Sequence, residues 1–161
     1  MAKNPLPLLL GPVPPALLQP FVTLGILAMR QRHPRLFERM GLHGNKTIRI
    51  EPSDLPFVFL LEPKADNPAL SIHKPHNAPR ADACIRGSLS ALLALAEGRE
   101  DGDTLFFNRE LVFSGDTEAV IALRNAVDSA RINLVNDLAY AFGPFEGPAK
   151  FFGEKIKELV Q

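Results

Sequence analysis

The sequence predicts an α+β domain, a mostly antiparallel five-stranded sheet covered by helices. Three observations predict it. Between residues 48 and 85, short runs alternate apolar and polar residues with the period of two that half-buried strands require. Two later segments, 89–97 and 117–130, carry apolar residues three and four apart, the helical period. A further extended run, Leu105 to Phe113, lies between those helices, so a strand returns after the first helix has formed.

The first 30 residues are apolar and proline-rich. No residue from Leu6 to Met29 is charged, and six prolines fall within the first 20 positions. A secretory signal needs a basic start and an unbroken apolar segment. Here only Lys3 is basic, and Pro12, Pro14, Pro15 and Pro20 interrupt the run. A spanning helix needs about 20 continuous apolar residues, and the stretch after Pro20 is too short. A helix from about Pro15 to Arg32 fits better, because proline suits a first helical turn. Pro20 should kink that helix or delay its start. Its apolar side would carry Leu17, Phe21, Leu24, Leu27 and Ala28.

His33-Pro34 restarts the chain, and Arg35 to Met40 reads as a short helix ending at Gly41. Ile48 and Ile50 then alternate with Arg49 and Glu51, Leu70 and Ile72 with Ser71 and His73, and Ala81, Ala83 and Ile85 with Asp82, Cys84 and Arg86. Phe57 to Leu61 is wholly apolar between Pro56 and Pro63, as in a strand buried on both faces. Proline and Asn/Asp clusters separate these runs, which predicts a meander of antiparallel strands. Ser88 suits an N-cap for the helix 89–97, with Gly98 as its left-handed stop. On the returning strand Leu105, Phe107, Leu111 and Phe113 share a side. Asp116 caps a helix running to about Ala130, with Glu118 near its positive end. A further helix is expected over Ile132 to Phe142, broken by Gly143-Pro144, and a last one around Phe152, Ile156 and Leu159. The expected division is 1–43, an apolar N-terminal segment with helices; 44–130, the main domain; and 131–161, a helical extension.

Composition narrows the function classes. The chain has 161 residues, enough to bury a real core, with 46% hydrophobic and 22% charged. Eighteen basic residues balance eighteen acidic ones, so no excess of cations is available for a phosphate backbone and nucleic acid is not an expected partner. A local basic patch could still meet an anionic membrane surface. With a single cysteine, Cys84, no intrachain disulfide forms, which fits a reducing compartment such as the cytoplasm.

Catalytic signals are sparse. His73-Lys74-Pro75-His76 sets two imidazoles three residues apart, but no nearby carboxylate or cysteine completes a metal set, and Pro75 argues for a loop. Cys84 sits mid-strand among small residues, as a buried inert thiol would. Glu100, Asp101 and Asp103 read as solvated loop charges. No nucleophile elbow or phosphate-binding glycine loop occurs. What stands out is apolar: eleven phenylalanines, with Phe106-Phe107 and Phe151-Phe152 as adjacent pairs. Strand neighbours face opposite sides, so Phe106 and Phe107 share a core layer only if both faces of that strand are covered.

The run Asp103-Thr-Leu-Phe-Phe-Asn-Arg-Glu-Leu-Val-Phe-Ser-Gly-Asp-Thr-Glu118 resembles the D-T-L-F-F-x-R-x-L-x-x-x-G-D-T-E signature of the UbiT family of sterol-carrier-type proteins. Ala81–Gly87, the helix 89–98 and Leu123–Asp128 extend the resemblance over about residues 81–130; from 44 to 80 it rests on element order. It implies a sterol-carrier-type fold around an apolar cavity. It further implies non-catalytic binding and presentation of an isoprenoid quinone precursor, or another lipid such as a phospholipid, in oxygen-independent ubiquinone biosynthesis alongside UbiU and UbiV. No cofactor is implied. The residues expected to line the cavity are Phe57, Phe59, Leu92, Phe106, Phe107, Leu111, Phe113 and Leu123. The rival readings are an adaptor with a filled core and an enzyme using His73 or His76 with the acidic loop. The uncharged N-terminal segment followed by Arg30, Arg32 and Arg35 has the form of an interfacial anchor on the cytoplasmic membrane face. Its alternative role is a lid over the cavity.

Overall fold

The computed structural model describes residues 12–97, 109–133, 136, 137, 139 and 140. Helix α1 (Pro15–Arg32) and the short α2 (Pro34–Glu38) lead through a 3-10 turn (Gly41–Asn45) into strands β1 (Ile48–Pro52), β2 (Val58–Glu62), β3 (Ala69–His73) and β4 (Ala83–Gly87). Helix α3 (Leu89–Glu97), strand β5 (Leu111–Gly115) and helix α4 (Thr117–Ala130) follow. Asn136, Asp137, Ala139 and Tyr140 are helical, within the segment where a further helix was expected.

The five strands form one sheet in the order β3-β2-β1-β4-β5. β1, β2 and β3 are the antiparallel meander that the alternation predicts. β4 departs from it: instead of pairing with β3 it crosses to the far side of β1 and lies parallel to it, Ile48 opposite Ala83 and Ile50 opposite Ile85. Alternation fixes which face a residue takes, not which strand it neighbours. Extended, the connection through residues 74–82 reaches about 30 Å, against about 14 Å for the three strand spacings from β3 to β4. β5 closes the sheet antiparallel to β4.

Other boundaries also shift. α2 ends at Glu38 rather than Met40, and Gly41 follows at a positive φ of 54°. Phe57 precedes β2 rather than opening it. The fifth strand begins at Leu111, because Arg109 takes a positive φ of 59° and turns the chain; Leu105, Phe106 and Phe107 lie outside the described residues. Pro20 sits inside α1 without ending it. Pro20 and Ala16 are both exposed, so the carbonyl left without a partner by the proline is on the solvent side.

One sheet face carries Ile48, Ile50, Phe59, Leu61, Ile72, Ala83, Ile85, Leu111 and Phe113 in register. Most of it joins a core with Ile26 of α1, Leu36 and Phe37 of α2, Ala91 and Leu95 of α3, and Val120, Leu123 and Ala126 of α4. On the other face Val58 and Leu60 are 1% and 7% exposed, so β2 is covered on both sides as its apolar run predicts.

The two expected N-caps form, while Gly98, the expected stop of α3, lies outside the described residues. The Ser88 hydroxyl accepts from the Ala91 amide at 3.1 Å, and the Asp116 carboxylate from the Ala119 amide at 3.2 Å. α1 packs along β3, and one of its side chains hydrogen-bonds to that strand. Gln19 donates to the Leu70 carbonyl at 3.0 Å and accepts from the Ile72 amide at 2.9 Å. It thereby occupies one outward carbonyl and one outward amide of β3, an edge strand that would otherwise present them for pairing with another chain.

Candidate functional site

The residues expected to line an apolar cavity are only partly brought together. Leu111 and Leu123 are core members, and Leu92 and Phe113 pack against that core. Phe59 is half-buried and faces the same side of the sheet through its register with Ile50 and Ile72. Phe57 is separate: its ring is 1% exposed, with the Lys74 ammonium 4.8 Å from its centroid. Phe106 and Phe107 fall outside the described residues.

Apart from Val58, Leu60 and the exposed Val112, the sheet's second face is mainly polar. Arg49 donates to Glu51 at 3.2 Å, and the Cys84 thiol donates to the other Glu51 oxygen at 3.6 Å. Cys84 is half-buried rather than fully buried. Burial pushes its thiol pKa up, and the Glu51 carboxylate adds to that. Both effects disfavour the thiolate, the reactive form. His73 ends β3, its ring nitrogen 2.7 Å from the Ser71 hydroxyl, while His76 is exposed on the turn Pro75–Asn77. Among the described residues no group of three His, Cys, Asp or Glu side chains is placed to hold a metal ion.

A cleft of about 280 Å³ opens where α1 meets α2 against the C-terminal end of α4. Arg32, His33, Arg35, Arg39 and Ser129 line it, with Leu36 and Ala126 among its apolar residues; of the expected cavity residues that the structure describes, none does. Behind it lies a polar junction. Asp137, 2% exposed, accepts from the Arg32 guanidinium and lies 3.0 Å from the His33 ring. The Arg32 guanidinium also lies 5.1 Å from the Tyr140 ring centroid, and the Tyr140 hydroxyl donates to Gln31 at 3.1 Å. From the sequence, Arg32 and Arg35 read only as a flank to the apolar segment, and Arg39 and Asp137 carried no role. The available signal was a lone acid inside the apolar run 134–142, where a carboxylate must be paired if buried.

α1 divides unevenly between core and solvent. Ile26 and Ala28 are buried, whereas Leu17, Phe21, Leu24 and Leu27 are 64%, 56%, 42% and 44% exposed. Ala28 thus belongs with the packed side, not with the outward apolar stripe that the sequence suggested. Among the described residues no helix is long and apolar enough to cross a membrane.

Such a sheet, with helices packed on one face and strand β5 returning between the last two, defines a sterol-carrier-type architecture. The chain belongs to the SCP-2 sterol transfer family, whose model matches residues 28–128. Over 53 residues it is 40% identical to the ubiquinone biosynthesis accessory factor UbiT of Escherichia coli strain K12, a match taking in 33% of this chain and 30% of that protein. Among solved structures, one described as UbiJ-SCP2, a ubiquinone synthesis protein, aligns with a TM-score of 0.50 and 20% identity, over 83% of this chain and 98% of its own. A sterol carrier protein 2 crystal structure aligns with a TM-score of 0.51 and 14% identity, over 69% and 96%. At these identities the structures share the fold.

Proposed function

We propose that this protein binds isoprenoid quinone precursors, or other lipids, and presents them without catalysis within oxygen-independent ubiquinone biosynthesis. The observation that carries this reading is the sterol-transfer domain combined with the local identity to an accessory factor of ubiquinone biosynthesis. UbiU and UbiV are the proposed protein partners, on the strength of the UbiT resemblance. The apolar layer from Ile48 to Phe113 supports the reading physically. Each CH₂-sized unit of a polyprenyl tail gains about 0.8 kcal/mol on leaving water. The bilayer offers the same gain, so transfer between membrane and protein is close to neutral, and head-group contacts are left to set specificity. Exchange with a membrane then needs a meeting surface. The exposed leucines of α1 with Arg30, Arg32 and Arg35 supply one, giving reversible association with the cytoplasmic membrane face.

The test is organic extraction of the purified protein followed by mass spectrometry. Co-extracted prenylated quinones or phospholipids are expected; protein that is repeatedly lipid-free and takes up no quinone would sink the reading. The close packing of the described core residues favours a second reading, an adaptor with a filled interior. Lipid-free protein that nonetheless captures UbiU or UbiV would favour it.

A further inference from the structure

We propose that the cleft between the α1–α2 junction and α4 binds an oxyanion, a phosphate or a carboxylate, carried as the head of an otherwise apolar ligand. The tail half of this proposal rests on the lipid-carrier reading; the head half rests on the cleft alone. Three arginines and His33 line the cleft, and among the described residues no acidic side chain does. Asp137 neutralises Arg32 from behind. Among the described residues neither Arg35 nor Arg39 has an ion-pair partner. These two lie four residues apart, the first in α2 and the second its C-cap, so their side chains project toward one region and repel each other. The α4 carbonyl end at Ala130 also borders the cleft, but a helix end carries only about half a negative charge. That leaves the cleft net positive, with the Ser129 hydroxyl as a further donor.

The floor has the opposite character. Leu36 and Ala126 line the cleft and are also members of the hydrophobic core. A ligand held at Arg35 and Arg39 therefore has its apolar part directed at the one wall separating the cleft from the core. The volume of about 280 Å³ equals roughly nine waters, more than a bare phosphate fills and enough to admit the first carbons of a tail.

The experiment titrates the full chain with three probes: decyl phosphate, inorganic phosphate and decanol, each below aggregation. Calorimetry gives affinity, and amide chemical shifts give location. The same titrations are run on R35Q/R39Q and on R35K/R39K, which restores the charge. Decyl phosphate should shift amides of residues 32–39 and 126–130. It should bind about tenfold or more weakly to R35Q/R39Q, the loss of charged hydrogen bonds, and regain affinity in R35K/R39K. Decanol binding should be the same in all three proteins. Inorganic phosphate binding as tightly as decyl phosphate would overturn the lipid-head assignment and leave a free-phosphate site. Unshifted cleft amides, or equal decyl phosphate affinity in R35Q/R39Q, would overturn the site itself. Lipid found in the extract with a silent cleft removes this inference alone, whereas cleft binding in a protein that never carries lipid removes the carrier reading and the tail half with it, leaving the oxyanion site.

Discussion

Asp137 makes the junction between α1, α2 and the segment after α4 depend on one carboxylate. Asp137→Ala would leave the half-buried His33 ring and the Arg32 guanidinium without their acceptor. Losing one partner of a buried pair costs about 3–5 kcal/mol, but Arg32 is 39% exposed and water can take over part of its role. A loss of about 2 kcal/mol is expected, read as a lower urea midpoint. Asp137→Asn, which keeps one acceptor oxygen, should lose less; an unchanged midpoint in both would show that the junction adds nothing. Asp82 gives a pH signature. Its carboxylate accepts from the Thr47 amide at 2.8 Å and from the Thr47 hydroxyl at 3.1 Å. The amide bond, then the hydroxyl bond, hold its pKa below the ordinary value. A lowered native pKa means the folded state favours the charged form. The stabilisation is complete above the ordinary aspartate range, about 4, and is lost as pH falls through the native value. Asp82→Asn should flatten that part of the acid-unfolding profile; an identical profile would exclude the mechanism. Gly115, at φ 77°, approaches the Asp82 carbonyl so closely that a Cβ would collide with it. Gly115→Ala should therefore cost about 2 kcal/mol or more.

α1 is the element whose packing and function pull apart. Its buried residues are Ile26 and Ala28, it packs along β3 with Gln19 hydrogen-bonded to that strand, and Leu17, Leu24 and Leu27 face outward. If those leucines meet a bilayer, Leu17→Asp with Leu24→Asp should abolish co-sedimentation with vesicles containing anionic phosphatidylglycerol while leaving the circular dichroism spectrum intact. High salt should weaken binding by the unsubstituted chain, since the arginine contribution is screened. Equal sedimentation of both proteins would remove the anchor. Much of this element was readable from residues alone: proline at the start, arginines at the end, and an uncharged stretch between. The inward side was not, because the whole stretch is apolar and its periodicity cannot tell core from solvent. The same limit applies to the sheet. The alternation at Ile48, Leu70 and Ala83 located the strands, whereas the parallel pairing of β1 with β4 depends on the long-range crossover after His73. The arginine cleft was illegible for a related reason, since it forms only when α4, about 90 residues downstream, packs beside α2.

At the scale of the whole molecule, a carrier must reconcile a packed interior with a bulky apolar cargo. The described core from Ile26 to Ile132 is contiguous, and packed interiors transmit strain rather than yield gradually. On the carrier reading, cargo would then enter when the helical cover moves from the sheet. α1 is the element best placed to move: it is fastened at one end by Gln19 on the edge strand and at the other by the Arg32, His33 and Asp137 junction, with most of its apolar side outside the core. Loading should then be limited by opening rather than by encounter. With a fluorescent prenyl probe, the uptake rate should level off as probe concentration rises, and the plateau should increase in Asp137→Ala, where one fastening is lost. Amide hydrogen exchange in α1 should accelerate in the same variant, with β1 at the centre of the sheet remaining slow. A bound lipid that prefers the folded state should also raise the melting temperature in proportion to the logarithm of its concentration above Kd. An uptake rate that climbs linearly with probe, with the same slope in Asp137→Ala, would mean that the cargo site is open before the lipid arrives and that α1 does not gate it.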